Sequence, residues 1–472
     1  MSKLVVVSNR VALPSKQGSG GLAVALADAL SEAGGGVWFG WSGKTVEGEA
    51  GPPGLYSRGG VRYVTCDLSQ EDYEDYYVGF ANSVIWPSFH FRLDLAEFER
   101  GFIHGYARVN RRFAEALAPK LEGGEIVWVH DYHLMPLGAD LRALGCGQPM
   151  GFFLHIPWPP PQLMEAVPGH EWLVRSLFAY DLVGFQTEAD RMNFIRYVEE
   201  EMAGERIDEH TLVAGGNRVA VHSFPIGIDV ESFQQMADGR ESSNAIRRMR
   251  HRNKTQIQVI GADRLDYSKG LPNRFRAFRR LLAELEGDDK DWWRSTYGRV
   301  SLMQIAPPTR EDVVAYTTLR HELEQLSGEV NGAFGEFDWT PIRYIHRNMP
   351  RATLAGLFRV SKVGLVTPLR DGMNLVAKEY VAAQEAEDPG VLVLSRFAGA
   401  AETMRQALIV NPYDVEQMVD ALKRAITMPL EERQLRHADL LAEVRRHDIH
   451  TWRRNFLDTL RALGEKKPQP TA

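Results

Sequence analysis

The stretch VGLVTPLRDGMNLVAKEY, residues 363–380, decides the fold because it joins a strand, a turn and a helix. Its continuous apolar run up to Thr367 is typical of a parallel strand that is covered on both faces. The turn Arg370-Asp371-Gly372 leads into a helix whose first N–H groups lack partners and carry partial positive charge. Such a helix start can bind a phosphate, and Gly372 would let a ligand approach the backbone. The stretch therefore predicts an α/β fold with an anion site at the carboxyl end of a strand.

Similar apolar runs recur along the chain and alternate with amphipathic stretches of helical period. Alternation on this scale predicts parallel sheets, in which ligands gather at the carboxyl ends of the strands. A break at 204–231, with a hairpin-like pattern around Gly215-Gly216-Asn217, separates two such series. We therefore expect two doubly wound, Rossmann-like domains that face a central cleft, with a boundary near residue 230. The predicted strands are 4–8, 126–130, 152–156, 182–186, 257–261, 363–367 and 391–395.

The composition argues against some classes of function. The 472 residues include 55 basic and 62 acidic ones, and a formal net charge of −7 disfavours a nucleic-acid or anionic-membrane partner. The two cysteines, Cys66 and Cys146, lack metal-ligand spacing, which fits a reducing compartment. The apolar run in MSKLVVVSNR is too short for a signal peptide, so we expect a cytoplasmic protein.

Two cations follow the strand predicted at 257–261. Arg264 and Lys269 lie in the loop within IGADRLDYSKGLPNRF, 260–275, where Pro272 favours the start of a helix. A guanidinium fork and an ammonium group at a strand end could neutralise a diphosphate leaving group. The alternative is that Arg264 forms a surface ion pair with Asp266.

Glu379 lies four residues after Leu375, on the same face of the helix that follows Gly372. A carboxylate there could accept hydrogen bonds from hydroxyls of a ligand whose phosphate sits at the helix start. The alternative is structural: Asp371 caps the helix, and Glu379 is solvated.

A carboxylate and an imidazole stand at neighbouring strand ends in the N-terminal half. Asp131 follows the strand 126–130, and His155 lies at the end of the strand 152–156. Such a pair suits hydrogen bonding to sugar hydroxyls or proton transfer. A structural histidine is the commoner outcome for any single His, and that alternative stays open.

The loop within SNRVALPSKQGSGGLAVAL, 8–26, carries Arg10 after the first strand and a second helix start near Gly21. This helix start also favours a phosphate, now with an arginine close by in sequence. Aromatic residues in 38–43 and 71–87 suit the apolar faces of sugar rings, although most Trp and Tyr side chains belong to protein cores.

No metal site is predicted. Asp289-Lys290-Asp291 matches a D-x-D metal pattern, but it lies in a charged run after a helix and is interpreted as a solvated turn. The 14 histidines show no Zn-like spacing.

Taken together, these segments resemble the bacterial trehalose-6-phosphate synthases over nearly the whole chain. The resembling segments are SNR, GGLAVAL, WFGWSG, IWPSFHFRLDL, GFFLHIPWP, RLDYSKGLP, LRDGMNLVAKEYVAAQ, FAGAAETM and IVNPYD. The resemblance implies the GT-B fold, with an acceptor-binding domain at 1–230 and a nucleotide-sugar-binding domain at 231–454. A helical segment at about 455–472 would join the N-terminal domain.

The resemblance implies a retaining glucosyltransferase that transfers glucose from a nucleotide-diphosphate glucose to glucose 6-phosphate and forms α,α-trehalose 6-phosphate. UDP-glucose is the favoured donor, and GDP-glucose and ADP-glucose are the alternatives. Residues implied at the reacting groups are Arg264, Lys269, Asp371, His155 and Asp131. The implied donor-binding residues are Gly21, Arg264, Lys269, Gly372, Met373, Asn374, Leu375, Val376 and Glu379. The implied acceptor-binding residues are Arg10, Trp41, Tyr77, Trp86, Asp131 and Arg310.

Positive charge aimed at a departing diphosphate suits this chemistry, and no carboxylate is clearly placed as a covalent nucleophile, so we expect attack from the front face. Neither a metal nor a cofactor is expected. The expected partners are the two small-molecule substrates, a second copy of the chain in a homo-oligomer, and a separate trehalose-6-phosphate phosphatase downstream. Two alternatives are a sibling enzyme with another acceptor, such as glycerol 3-phosphate or a cyclitol phosphate, and a non-catalytic sugar-phosphate-sensing subunit.

Overall fold

The computed structural model describes residues 3–13, 21–240, 243–253, 255–287, 290–309 and 313–465. The chain divides into two compact units. The first unit extends to Pro225 and includes the chain again from Trp452, and the second is Ile226–Thr451. The sequence-based boundaries at 230 and 454 lie a few residues beyond these points.

The first unit is built on one sheet, in the order β3-β4-β2-β1-β5-β6-β7-β10-β9-β8. Its central strands pair in parallel, whereas β3 with β4, β9 with β10 and β8 with β9 pair antiparallel. The strands are β1 (Leu4–Arg10), β2 (Gly36–Val46), β3 (Gly54–Arg58), β4 (Val61–Ser69), β5 (Ile126–His130), β6 (Met150–Phe153), β7 (Leu182–Phe185), β8 (Glu205–Arg206), β9 (Thr211–Ala214) and β10 (Asn217–Ser223).

Helices connect these strands, and a π-helix at Tyr73–Ile85 interrupts the series between α2 and α3. The α-helices are α1 (Gly21–Glu32), α2 (Gln70–Asp72), α3 (Trp86–Phe89), α4 (Arg100–Leu117), α5 (Leu137–Ala143), α6 (Pro161–Met164), α7 (His170–Leu177) and α8 (Glu188–Glu201).

The second unit holds a wholly parallel sheet in the order β13-β12-β11-β14-β15-β16. Its strands are β11 (Gln256–Ala262), β12 (Arg299–Ile305), β13 (Ile342–Ile345), β14 (Val363–Val366), β15 (Val391–Ser395) and β16 (Leu408–Val410). The remaining helices are α9 (Val230–Arg240), α10 (Asn244–Arg252), α11 (Leu271–Leu285), α12 (Lys290–Tyr297), α13 (Val314–Phe334), α14 (Arg351–Arg359), α15 (Leu375–Ala383), α16 (Val415–Thr427), α17 (Leu430–Arg446) and α18 (Ile449–Glu465). Among the helices described, none is long and apolar enough to cross a membrane.

The doubly wound α/β prediction is confirmed. In the second unit the strand order reverses between β11 and β14, and in the first unit between β1 and β5. Such a reversal opens a crevice at the carboxyl ends of the two strands, where ligands bind in folds of this type. Of the residues predicted to form the site, Lys269 follows β11, Asp371 follows β14 and Asp131 follows β5. Four predicted strands differ from the observed ones by one or two residues at one or both ends, and β6 is Met150–Phe153 in place of 152–156, so His155 lies beyond it.

A buried arginine ties together three strand ends in the second unit. Arg274 on α11 is 0% exposed. Its Nε donates to Thr367 Oγ1 at 3.1 Å, and its Nη1 donates to Asp263 Oδ2 at 2.7 Å and to Gln304 Oε1 at 2.8 Å. Asp263 follows β11, Gln304 lies on β12, and Thr367 follows β14. One guanidinium therefore fixes the relative positions of the loops that leave these strands.

The loops after β11 and β14 are also joined through the backbone. Leu369 N–H donates to Ser268 O at 2.7 Å. Gly270 lies close by in the left-handed region, with φ at 65°. A Cβ at this position would approach Thr367 O to 2.6 Å, so the close pairing of the two loops requires glycine.

We expect Arg274→Ala to reduce the free energy of unfolding by about 3–5 kcal/mol, because it leaves the Asp263 carboxylate buried without its cation. Arg276→Ala is the matched control on the same helix. Arg276 pairs with Glu322 at 2.5 Å, but both side chains are well exposed, so its loss should cost less than about 1 kcal/mol. Chemical denaturation measures both variants, and equal losses would contradict the role given to Arg274.

Candidate active site

Lys269, Asp371 and Asn374 form a connected group in the second unit. Lys269 Nζ lies 2.5 Å from Asp371 Oδ2, and Asn374 Nδ2 donates to the same oxygen at 3.0 Å. Lys269 is only 7% exposed. This ion pair joins the loop after β11 to the loop after β14. The ion pair therefore brings together two of the residues that the resemblance assigns to the donor site.

The start of α15 is capped by Asn374, not by Asp371. Asn374 has a left-handed backbone, with φ at 73° and ψ at 86°, and its Oδ1 accepts from Ala377 N–H at 3.2 Å. The alternative in which Asp371 caps the helix is therefore wrong. Because this cap serves Ala377, the N–H groups of Leu375 and Val376, in the first turn, are left outside the helical bonding. They are available for an anion at the helix start.

Gly372 and Met373 are buried in the turn before this helix. Asp371 N–H donates to Phe397 O at 3.1 Å, and Met373 O accepts from Ala400 N–H at 2.9 Å. The turn is therefore held by the segment that follows β15, which fixes its backbone before any ligand arrives.

Arg264 follows β11 as predicted, and its side chain is exposed. Asp266 is 0% exposed, where its Oδ1 accepts from Ser268 N–H at 3.0 Å and its Oδ2 from Tyr316 Oη at 3.2 Å. The alternative of a surface ion pair with Asp266 is therefore wrong, because this carboxylate is buried and shapes the loop that holds Lys269.

Glu379 is not solvated, which corrects the other alternative. Its side chain is 13% exposed, and its Oε1 accepts from Arg351 Nε at 3.2 Å and Nη2 at 3.1 Å. Burial raises the pKa of Glu379, and the charge and hydrogen bonds of Arg351 oppose that rise. The sequence did not reveal Arg351, since an arginine at the start of a helix carries no signal for a partner so far along the chain.

In the first unit an arginine at the end of β1 contacts an aromatic cluster that includes Trp41 of β2. The guanidinium of Arg10 lies 5.8 Å from the ring centroid of Trp41, within the range of a cation–π contact. Gly43 leaves room for it, since a Cβ there would approach Arg10 to 2.6 Å. The Tyr77 ring lies 5.2 Å from that of Trp41, and Tyr73 stacks on Tyr77 at 5.5 Å.

The π-helix at Tyr73–Ile85 supplies Tyr77 and leads directly into α3, where Trp86 is the first residue. Such helices are rare, occur mostly as single turns and are frequent at functional sites. The Trp86 ring lies 5.7 Å from that of Tyr132, which follows β5. Trp41 and Trp86 therefore contact different neighbours, and the π-helix connects them.

Asp131 has a strained backbone. Its φ is 77° and its ψ is 164°, a region that residues other than glycine rarely occupy. Its Oδ1 accepts from His155 N–H at 3.2 Å. The two residues therefore follow neighbouring strands, as the sequence predicts, but the carboxylate contacts the backbone of His155 and not its imidazole. Strain of this kind is concentrated at functional sites.

The ring of His155 has a partner at each nitrogen. Its Nε2 lies 3.1 Å from His130 Nδ1, and its Nδ1 lies 3.4 Å from Gln186 Nε2. Burial lowers the pKa of His155 to about 3 and the pKa of His130 well below its ordinary value, so both rings are neutral near pH 7. Neither partner was predicted, since both follow from the order of β5, β6 and β7 in the sheet.

Some predicted residues cannot be placed. Arg310 and Asp289 lie outside the described residues, and of Gly21 only its position at the start of α1 is described. Within the described ranges, no three His, Cys, Asp or Glu side chains gather in a way that could hold a metal ion. Lys269, Asp371 and Asn374 are in contact in the second unit, and Arg10, Trp41 and Tyr77 are in contact in the first.

Substitution of Asp131 tests the strain. Asp131→Gly should have a free energy of unfolding about 1 kcal/mol or more above that of Asp131→Ala, because glycine adopts this backbone without strain. Both variants lose the carboxylate, so the comparison isolates the backbone. Denaturant unfolding measures the difference, and an alanine variant as stable as the glycine variant would contradict the strain.

Comparison with known proteins identifies the family. Residues 3–462 match glycosyltransferase family 20. A trehalose-6-phosphate synthase of Sinorhizobium fredii is 47% identical over 470 residues, which cover 99% of this chain and 100% of that protein.

Solved structures agree. An α,α-trehalose-phosphate synthase (UDP-forming) from Burkholderia xenovorans, in complex with glucose-6-phosphate, has a TM-score of 0.91 and 47% identity, covering 98% of this chain and 100% of the other. An E. coli structure bound with UDP-2-fluoro glucose has a TM-score of 0.92 and 43% identity, covering 99% of this chain and 100% of the other. The two Rossmann-like units have the GT-B fold of these enzymes. The chain belongs to glycosyltransferase family 20, whose model matches nearly its whole length.

Proposed function

We propose that this chain transfers glucose from UDP-glucose to glucose 6-phosphate, with retained anomeric configuration, and forms α,α-trehalose 6-phosphate. The observation that carries the proposal is the ion pair between Lys269 and Asp371 beside the open first turn of α15. It places a cation, a carboxylate and helical N–H groups at the edge of one sheet, and relatives that match the whole chain are named for this reaction.

On the donor side, the diphosphate would lie at the start of α15. Leu375 and Val376 would donate their N–H groups, and Lys269 and Arg264 would supply positive charge. Asp371 would accept hydrogen bonds from the glucose hydroxyls. The backbone of Gly372 and Met373 would donate and accept further hydrogen bonds with the glucose. Glu379 would accept hydrogen bonds from the ribose hydroxyls.

The bond between the anomeric carbon and the diphosphate oxygen breaks, and its electron pair stays on the diphosphate. The sugar gains oxocarbenium character, and the acceptor hydroxyl attacks from the face that the diphosphate leaves. A phosphate oxygen of the leaving group takes the hydroxyl proton. Preorganised positive charge stabilises this transition state because negative charge builds up on the diphosphate. The proposal assigns no step to a metal ion or a cofactor.

On the acceptor side, Arg10 would bind the phosphate of glucose 6-phosphate, a role that the resemblance also implies for Arg310. Trp41, Tyr77 and Trp86 would contact the apolar faces of the sugar ring. Asp131 would accept from acceptor hydroxyls, and its strained backbone would hold the carboxylate in place. His155 would bind the 6-hydroxyl of the donor glucose, which requires that a partner of its ring moves aside.

The product still carries a phosphate, so the formation of trehalose itself requires a phosphatase. We propose that a separate enzyme supplies this step. Assembly of the chain into a homo-oligomer stays a prediction.

An acceptor comparison tests the proposed function. The enzyme is incubated with UDP-glucose and either glucose 6-phosphate, glycerol 3-phosphate or no acceptor, and UDP release is followed. We expect rapid release only with glucose 6-phosphate, with an α,α-linked product by NMR. Preference for glycerol 3-phosphate would favour the sibling activity, and no release with either acceptor would favour a sensing subunit.

Arg264→Ala tests the donor side. Loss of one charge contact to the leaving group should lower kcat by about 100-fold or more, which corresponds to roughly 2.7 kcal/mol. Arg279→Ala is a control, because Arg279 forms an exposed pair with Glu329 on α13. A variant of Arg264 with turnover close to that of the control would show that Arg264 is misassigned.

A further inference from the structure

We propose that Arg351 is a positioning residue for nucleotide recognition, which holds Glu379 ionised and correctly aimed towards the hydroxyls of the donor ribose. This inference rests on the proposed function, because it takes the nucleoside diphosphate as the ligand of that carboxylate. Arg351 acts through Glu379 and is assigned no contact with the substrate.

The geometry shows how Arg351 restricts the carboxylate. Both its Nε and its Nη2 donate to Glu379 Oε1, at 3.2 and 3.1 Å. The two hydrogen bonds converge on a single oxygen and leave Oε2 for another donor. A ligand hydroxyl can therefore bind Oε2 without breaking the contact with the arginine.

The guanidinium is itself held in place from a second side. Its central carbon lies 5.2 Å from the ring centroid of Phe233, which is 0% exposed on α9. The attraction between a cation and an aromatic face is stronger when the site is partly shielded from water. Arg351 is the first residue of α14, so its backbone is also fixed by that helix. The arginine is thus positioned before a ligand binds.

The need for such a residue follows from the burial of Glu379. With 13% of the side chain exposed, the carboxylate loses much of its hydration, and burial favours its protonated form. Arg351 opposes this effect, since its charge raises the cost of protonating the carboxyl group. An ionised carboxylate accepts hydrogen bonds from hydroxyl groups more strongly than a neutral carboxyl group does.

The test is a double-mutant cycle on UDP binding, measured by calorimetry with the full-length enzyme. We expect Arg351→Gln and Glu379→Gln each to weaken UDP binding by about 10- to 100-fold. Combined, they should weaken it no more than Glu379→Gln alone, within about two-fold, because Arg351 acts through Glu379. The wild-type preference for UDP over 2′,3′-dideoxyuridine diphosphate should disappear in both single variants.

Kinetics give a second readout. Arg351→Gln should raise the KM for UDP-glucose much more than it lowers kcat, and Arg351→Lys should restore part of the affinity, since lysine keeps the charge but lacks the guanidinium fork. If Arg351→Gln does not fold, Arg351→Lys replaces it in the double-mutant cycle. Arg351→Lys should then weaken UDP binding in the enzyme that retains Glu379 but cause no further loss in the Glu379→Gln variant.

Arg359→Gln is the matched control. Arg359 ends α14 and its Nε donates to Ala383 O, the last residue of α15, at 2.7 Å, so it links the same two helices away from Glu379. We expect lower thermal stability but unchanged UDP affinity. Additive losses in the cycle, or an Arg351→Gln variant that still prefers UDP over the dideoxy compound, would overturn the inference. Absence of UDP binding by the wild-type enzyme would instead refute the proposed function.

Discussion

The buried guanidinium of Arg274 is the interaction on which the ligand-binding edge of the second unit depends. Removing a cation from water is costly, and the cost is offset only when hydrogen bonds replace the lost hydration. Asp263, Gln304 and Thr367 provide those bonds from three separate strand ends. Since each partner belongs to a different strand, the arginine cannot keep its bonds unless the strands keep their stagger. The loops that carry Lys269 and Asp371 therefore start from fixed points.

The first unit positions its side chains in another way. Asp131 is held in a conformation that costs free energy, and burial keeps His155 neutral by lowering its pKa. The packing of the surrounding sheet has to offset the free-energy cost of this strained conformation. The two units therefore hold their ligand-binding edges differently: the second unit uses a buried ion pair, and the first keeps a strained residue whose cost the surrounding structure offsets.

Much of the fold could be predicted from the sequence because strands that are buried on both faces consist of continuous apolar residues. The strands at 126–130 and 391–395 have the predicted bounds. The prediction for 152–156 was wrong at both ends, because the strand is Met150–Phe153, and Leu154 and Ile156 are buried without belonging to the sheet. Burial and strand pairing have the same hydrophobic signature, and the sequence alone does not separate them.

The side-chain partners were harder to predict. Asp131, His155, Lys269 and Asp371 were found because they follow strands, and the topology brings such residues to one edge. Arg274, Arg351, His130 and Gln186 were missed, since each acts on a residue distant in sequence, and a charged or polar side chain within a helix or strand is usually solvated. Their roles depend on contacts between elements, which no local pattern encodes.

The π-helix at Tyr73–Ile85 has a consequence for how this region can evolve. One residue turns an α-helix by about 100°, so the loss of a single residue here would rotate every later side chain of the segment around its axis. Trp86 would then leave its neighbour Tyr132, although no aromatic residue had been exchanged. Point substitutions should therefore accumulate in this segment more readily than insertions or deletions, and its length should be the better preserved property.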